Sequence, residues 1–219
     1  MPKLKHKNSS MITSLLNKKY MVLLANFVFQ GMRYMTRGEL IFKLSFTLIF
    51  CCLFSVFINN IFLAAILGHF ANFSLNGQFF VLSRYLFSRD AITTNELSNF
   101  IQLIGTSYRK FGIDDVLVIG SFCRVEMTSS SDLDLRIMHK ADFRSSCKAY
   151  FYAFFLRFLG VIRRFPMDVY CFSDLTFLEK LRADETPSFF EGDEHFLMKY
   201  PNSRPAVTLV KENIEGWRC

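Results

Sequence analysis

Forty consecutive residues, 44–83, contain no Asp, Glu, Lys or Arg. The first 25, Leu44–Gly68, are dense in Phe, Leu and Ile. A helix of about 20 apolar residues spans the hydrocarbon of a bilayer, so this run predicts membrane insertion. A signal peptide does not fit, because the run starts far from Met1 and no small-residue cleavage pattern follows it. Arg33, Arg37 and Lys43 precede the run and Arg84 and Arg89 follow it, so the positive-inside rule favours neither end. A hairpin turning at Asn59-Asn60, with arms Leu44–Ile58 and Ile61–Leu82, keeps both ends on one side. A turn near Asn72–Asn76-Gly77, after a full first helix, is the alternative. The first arm of the earlier turn is about 22 Å long, which favours a re-entrant or tilted hairpin over two full crossings.

The run divides the chain into three parts. Residues 1–43 read as a basic arm, with Lys3, Lys5, His6 and Lys7, followed by an amphipathic helix over Met11–Met35. In that helix Ile12, Leu16, Tyr20, Leu23, Leu24, Phe27 and Val28 recur at three- and four-residue steps. It lies either in a membrane interface or on a soluble core. Residues 44–90 form the membrane-inserting segment, and 91–219 a separate domain. The composition agrees: 51% hydrophobic residues and 27 Phe, with a mean hydropathy of +0.23, leave some apolar surface that is not meant for water. The net charge of +7 could suggest nucleic acid. However, Lys plus Arg outnumber Asp plus Glu 10 to 2 in residues 1–90 and stand at 16 against 17 in 91–219. With no basic stripe in the C-terminal part, nucleic acid is not an expected partner. The six cysteines include no Cys-x-x-Cys pair, so a zinc site is not expected and reduced core thiols in a cytosolic setting are.

The C-terminal part alternates. Thr93 or Thr94 caps a helix that carries Leu97, Phe100, Ile101, Ile104 and Tyr108 to a stop at Gly112. A strand at Asp115–Ile119 follows, then a strand at Asp132–Met138 and a helix at Arg144–Leu159 ending at Gly160. A strand at Met167–Phe172 and a helix from Ser173 or Asp174 to about Arg182 complete the set. The order predicts an α/β fold: a small mixed β-sheet with packed helices. Residues 188–219 carry no assignable element.

The chemistry concentrates at the strand ends. Val118-Ile119-Gly120-Ser121 reads as a buried strand stopped by a tight turn that lets a ligand approach backbone. Asp132 and Asp134 flank Leu133, and the two-residue period of a strand sends both carboxylates to one face, about 6–7 Å apart. Such a pair repels unless a cation sits between, and hard oxygen donors suit Mg²⁺. Asp168 in the next strand could complete a two-metal site for in-line phosphoryl displacement. Arg136 shares the face of Asp134 and is a candidate partner of the acids, while His139 and His195 read as surface residues.

Gly120-Ser121, Arg124, Ser131-Asp132-Leu133-Asp134 and Met167-Asp168-Val169 together resemble the signature of the nucleotidyltransferase superfamily, which includes DNA polymerase β and the minimal nucleotidyltransferases. The resemblance covers about residues 92–193. One position departs: Val125 follows Arg124, where the family often has Gly. The resemblance implies a nucleotidyltransferase fold, with Asp132, Asp134 and Asp168 holding two Mg²⁺ ions and Asp168 also helping to deprotonate the acceptor. Gly120, Ser121, Arg124 and Ser131 would bind the nucleoside triphosphate. Nucleoside triphosphates place this domain at the cytoplasmic face of the inner membrane, which again favours the hairpin. Too little chain follows Asp168 for a helical substrate domain, so the acceptor pocket comes from the tail, the membrane segment or another subunit of a homo-oligomer. A lipid-linked or glycan precursor is the expected acceptor. A catalytically inactive membrane scaffold and a protein-modifying nucleotidyltransferase are the alternatives.

Overall fold

Leu133, Leu135 and Ile137 alternate with Asp134, Arg136 and Met138, and the strand they form buries the first set fully and the second by half. In the computed structural model, which describes residues 19–29, 32, 35–76, 92–181 and 185–217, this strand is central. β1 (Asp115–Ile119) runs antiparallel to β2 (Leu133–Met138), and β3 (Met167–Phe172) runs parallel to it, in the order β1-β2-β3. The architecture is mixed α/β, with seven α-helices among the described residues.

Helices cover the fully apolar face. α4 (Thr94–Ser107) starts with a capping box between Thr93 and Glu96 and buries Leu97, Phe100, Ile101 and Ile104. α5 (Phe143–Ile162) connects β2 to β3 and buries Ala149, Tyr152, Ala153 and Leu156 in the same core. α7 (Ala206–Glu215) adds Leu209 and Val210. On the other face Leu117 and Ile119 pack with Leu178, Phe189 and Phe196, the last from α6 (Glu194–Lys199). The tail pairs with β1: Val118 and Ser188 exchange both backbone hydrogen bonds at 2.8 Å. The Asp115 carboxylate then accepts the N–H groups of Phe190, Glu191 and Gly192 at 3.3, 3.3 and 2.9 Å.

The apolar run forms a helical hairpin. α2 (Arg37–Phe57) is capped by Thr36, the chain turns at 58–60, and Asn60 caps α3 (Ile61–Leu75) by accepting the Leu63 N–H at 3.1 Å. The turn therefore falls at Asn59-Asn60, the earlier of the two expected places. The outer surfaces are apolar and bare, with Phe57 84% and Phe62 79% exposed near the tip. The root is different. Glu39, Lys43, Asn72 and Asn76 are all buried there. Glu39 pairs with Arg157 of α5 and accepts the Cys171 N–H at 3.2 Å, while Arg157 donates to the Val169 carbonyl. The free side of β3 is thereby taken up by side chains of two helices. Above the root, Phe42 meets Phe151 edge-on at 4.8 Å and Phe46 stacks on Phe154 at 4.7 Å, which zips α2 to α5.

Several elements differ from the sequence expectation. The amphipathic helix is described over Lys19–Phe29 (α1), where the Phe27 ring packs edge-on against Phe73 of α3 at 5.4 Å and Leu24, Val28 and Phe29 face outward. α3 stops at Leu75, short of Leu82, because Asn76 turns back to bond Asn72. α5 runs through Gly160 to Ile162. That glycine is needed for contact, since a Cβ there would stand 2.8 Å from the Phe165 carbonyl as the chain folds back toward β3. The segment after Asp174 is a short 3₁₀ turn, Thr176–Lys180. His139 is buried beneath α5, with Nδ1 2.8 Å from the Lys140 carbonyl, and is not the expected surface residue. The arm 1–10 and residues 77–91, with Arg84 and Arg89, lie outside the described residues.

Candidate active site

β1 delivers the chain to Gly120 beside β2. Ile119 pairs with Asp134 across β1–β2, and Asp134 pairs with Asp168 across β2–β3, so the two acids are lateral neighbours on the half-buried face. Asp132 lies two residues earlier, just before the strand begins. Gly120 has φ +80°, and a Cβ there would stand 2.5 Å from Asp134 Oδ2. Only glycine satisfies both the left-handed backbone and the close approach of that carboxylate.

Burial, followed by the charge of Asp168, pushes the Asp134 carboxyl up to about 7. Asp132 and Glu185 act in the same direction and Arg136 opposes them. Among the described residues, Arg136 pairs with no carboxylate and is turned to backbone and an aromatic ring instead. Its guanidinium donates to the carbonyls of Leu135 at 2.8 Å and Asp168 at 3.2 Å and lies over the Tyr170 ring at 4.9 Å. Tyr170 in turn hydrogen-bonds Asp168, and burial followed by the charge of Asp168 raises the Tyr170 hydroxyl above its ordinary range. On the hairpin side Lys43 lies within electrostatic reach of Asp168.

The loop after Gly120 is a 3₁₀ turn, Gly120–Phe122, in which the Ser121 carbonyl accepts the Glu126 N–H at 3.0 Å. Arg124 pairs with Glu126 at 2.7 Å and comes within 4.0 Å of Glu185. Val125, at the position where the resembled family favours Gly, has φ +54°. A β-branched side chain is disfavoured in that left-handed region, so the loop keeps the conformation that a glycine would adopt freely. Ser131 closes the preceding loop, its hydroxyl accepting the Thr128 N–H at 3.0 Å. It therefore shapes the approach to Asp132.

The fold thus gathers Gly120, Asp132, Asp134 and Asp168 at one end of the sheet, with Arg124 beside them. It adds Glu185, which accepts the Gly120 N–H. Glu185 is not among the site residues that the sequence pattern pointed to. Carboxylate oxygens with surplus negative charge form a donor set suited to Mg²⁺, and Asp132, Asp134 and Asp168 are the residues that would hold it. Among the described residues no three His, Cys, Asp or Glu side chains already stand at metal-holding distances. A cavity of about 780 Å³, lined by Asp115, Met138, His139, Lys140 and Asp193 among others, opens at the opposite end of the sheet. Met138 lies four positions along β2 from Asp134, about 13 Å of strand, so that cavity is not the site of the acids. Comparison with protein-family models, curated proteins and solved structures returned no match.

Proposed function

We propose that this protein is a membrane-associated, Mg²⁺-dependent nucleotidyltransferase with the nucleotidyltransferase fold. The observation that carries the reading is the lateral pairing of Asp134 with Asp168 where the Gly120 turn arrives. An acceptor hydroxyl or phosphate oxygen attacks the α-phosphorus of a nucleoside triphosphate, forming one P–O bond as the bond to pyrophosphate breaks. Asp168 takes the acceptor proton, and Asp132 and Asp134, with Asp168, are the residues that would hold the cation beside the polyphosphate. Mg²⁺ bound there would neutralise the leaving group and lower the acceptor's pKa. The Gly120 N–H, Ser121, Arg124 and Ser131 form the phosphate-binding loop.

The bare apolar surface of the hairpin supports a location of this chemistry at a bilayer surface. Beyond the buried Lys43, α2 has 14 residues, about 21 Å of helix. That is short of the ~30 Å hydrocarbon core. α3 is of similar length, which supports a re-entrant hairpin with both ends at the cytoplasmic face. A lipid-linked or glycan precursor is the acceptor class that this location favours. A nucleotide-binding membrane scaffold without turnover is the second reading, favoured by the strained Val125 loop. Incubating the detergent-purified protein with each labelled triphosphate, Mg²⁺ and a membrane extract separates the two. Transfer that disappears in Asp132→Ala and Asp134→Ala supports the enzyme, whereas triphosphate binding without turnover in any extract supports the scaffold.

A further inference from the structure

The N–H expected to meet a nucleotide phosphate already has an anion on it. The Glu185 carboxylate accepts the Gly120 N–H, and its second oxygen lies 4.0 Å from Arg124 Nη1. We infer that Glu185 is a built-in competitor for the phosphate seat, so that nucleotide binding exchanges one anion for another and Glu185 sets the affinity. The inference rests on the nucleotidyltransferase reading and names a regulator of that same site.

Three observations support it. The Glu185 side chain is only 8% exposed, so it is packed into the site rather than lying across it. Its backbone is held by the Val118–Ser188 pair three residues later, which carries it past the end of β1 to Gly120. And it stands among like charges, within electrostatic reach of Asp134, whose ionisation it opposes along with Asp132 and Asp168. The Gly120 N–H together with Arg124 forms an anion seat that holds this carboxylate within reach of Asp134 despite their like charge. That single N–H cannot serve a carboxylate and a phosphate oxygen at full strength together. A ligand that binds only when the seat is open has its affinity reduced by the open fraction. A charge-assisted hydrogen bond of ordinary strength leaves the seat open about 1–10% of the time, so removing the competitor tightens nucleotide binding about 10- to 100-fold.

The test uses the full chain in detergent micelles with Mg²⁺. Fluorescently labelled nucleoside triphosphates are titrated into wild type, Glu185→Gln and Glu185→Ala. Both variants should bind triphosphate about 10- to 100-fold more tightly than wild type and gain less for the monophosphate, which carries less charge into the site. A residue with only a structural role would weaken binding when replaced. Wild-type binding with unchanged or weaker affinity in the variants overturns the inference and leaves the enzyme reading intact. Failure of wild type and variants to bind any triphosphate overturns both. Should the variants not fold, hydrogen exchange on wild type decides. Saturating triphosphate should speed exchange of the amides of Thr186 and of residues 188–190 as the tail is released, and unchanged protection overturns the competitor role.

Discussion

Glu39, in the first turn of the hairpin, forms a buried ion pair with Arg157 of α5 across 118 residues of sequence. The pair also holds β3 through the Cys171 N–H and the Val169 carbonyl, and Arg157 reaches Asn76, just past the end of α3, at 3.4 Å. Buried pairs of this kind cost most when half of them is removed. Glu39→Leu should therefore destabilise the protein by about 3–5 kcal/mol, and Glu39→Leu with Arg157→Met should recover most of the loss. Denaturant unfolding of both in mild detergent checks this. Equal losses in the single and double variants would rule out an uncompensated charge as the cause.

Gly120→Ala should damage the site directly. The new Cβ meets Asp134 Oδ2 and sits on a left-handed backbone. The expected cost is about 1–3 kcal/mol of stability, together with loss of triphosphate binding. An alanine variant that melts and binds like wild type would refute the close approach.

The pH dependence follows from Asp134. Its carboxyl titrates at about 7 in the fold, against about 3.9 in an unfolded chain. Between those values the folded state keeps a proton that the unfolded state has released, so stability falls as pH rises through this window and levels off above it. Metal-free protein should be more stable at pH 5 than at pH 7.5, by on the order of 2–4 kcal/mol. Asp134→Asn, which cannot ionise, should flatten the profile. Urea midpoints across the window measure it, and a wild-type midpoint that rises with pH would contradict the assignment.

Asp115 anchors the tail through the N–H groups of residues 190–192. Asp115→Asn should cost about 1–3 kcal/mol of tail docking and raise hydrogen exchange over 188–192. Because the same tail carries Glu185, triphosphate affinity should increase in this variant. Loosening of the tail without any change in affinity would separate the two effects.

The hairpin tip is open to a charge test. Phe57→Lys with Phe62→Lys places two ammonium groups at the expected deepest point, each costing about 2.5–3.5 kcal/mol in a bilayer. Flotation with phospholipid vesicles should fall sharply. Full recovery of the double variant in the vesicle fraction would argue that the hairpin does not enter hydrocarbon.

Local chemistry made much of the sheet legible. Alternation in Leu133–Met138 and the apolar run Met167–Phe172 placed Asp134 and Asp168 on strand faces, and the pair of asparagines at 59–60 marked one of two candidate hairpin turns, which the structure selects by the Asn60 cap. Thr93 or Thr94 as a cap announced the start of α4, and the structure selects Thr93. The remainder depended on long-range packing. Glu39 and Lys43 look like solvated helix residues until β3 and α5 close around them. Gly160 looks like a helix stop, because the close approach of Phe165 cannot be read from spacing. Glu185 reaches the site through a one-residue bridge, Val118–Ser188, which leaves no periodic pattern in the tail.

A three-stranded sheet ordinarily offers two open flanks onto which a foreign strand can add. Here one flank is taken by the tail at Ser188 and Asp115, and the other by Glu39 and Arg157. Those ionic side chains use the donors and acceptors that an incoming backbone would need. Among the described residues, the root of the hairpin therefore also guards the edge of β3 against the addition of a foreign strand at Val169 and Cys171.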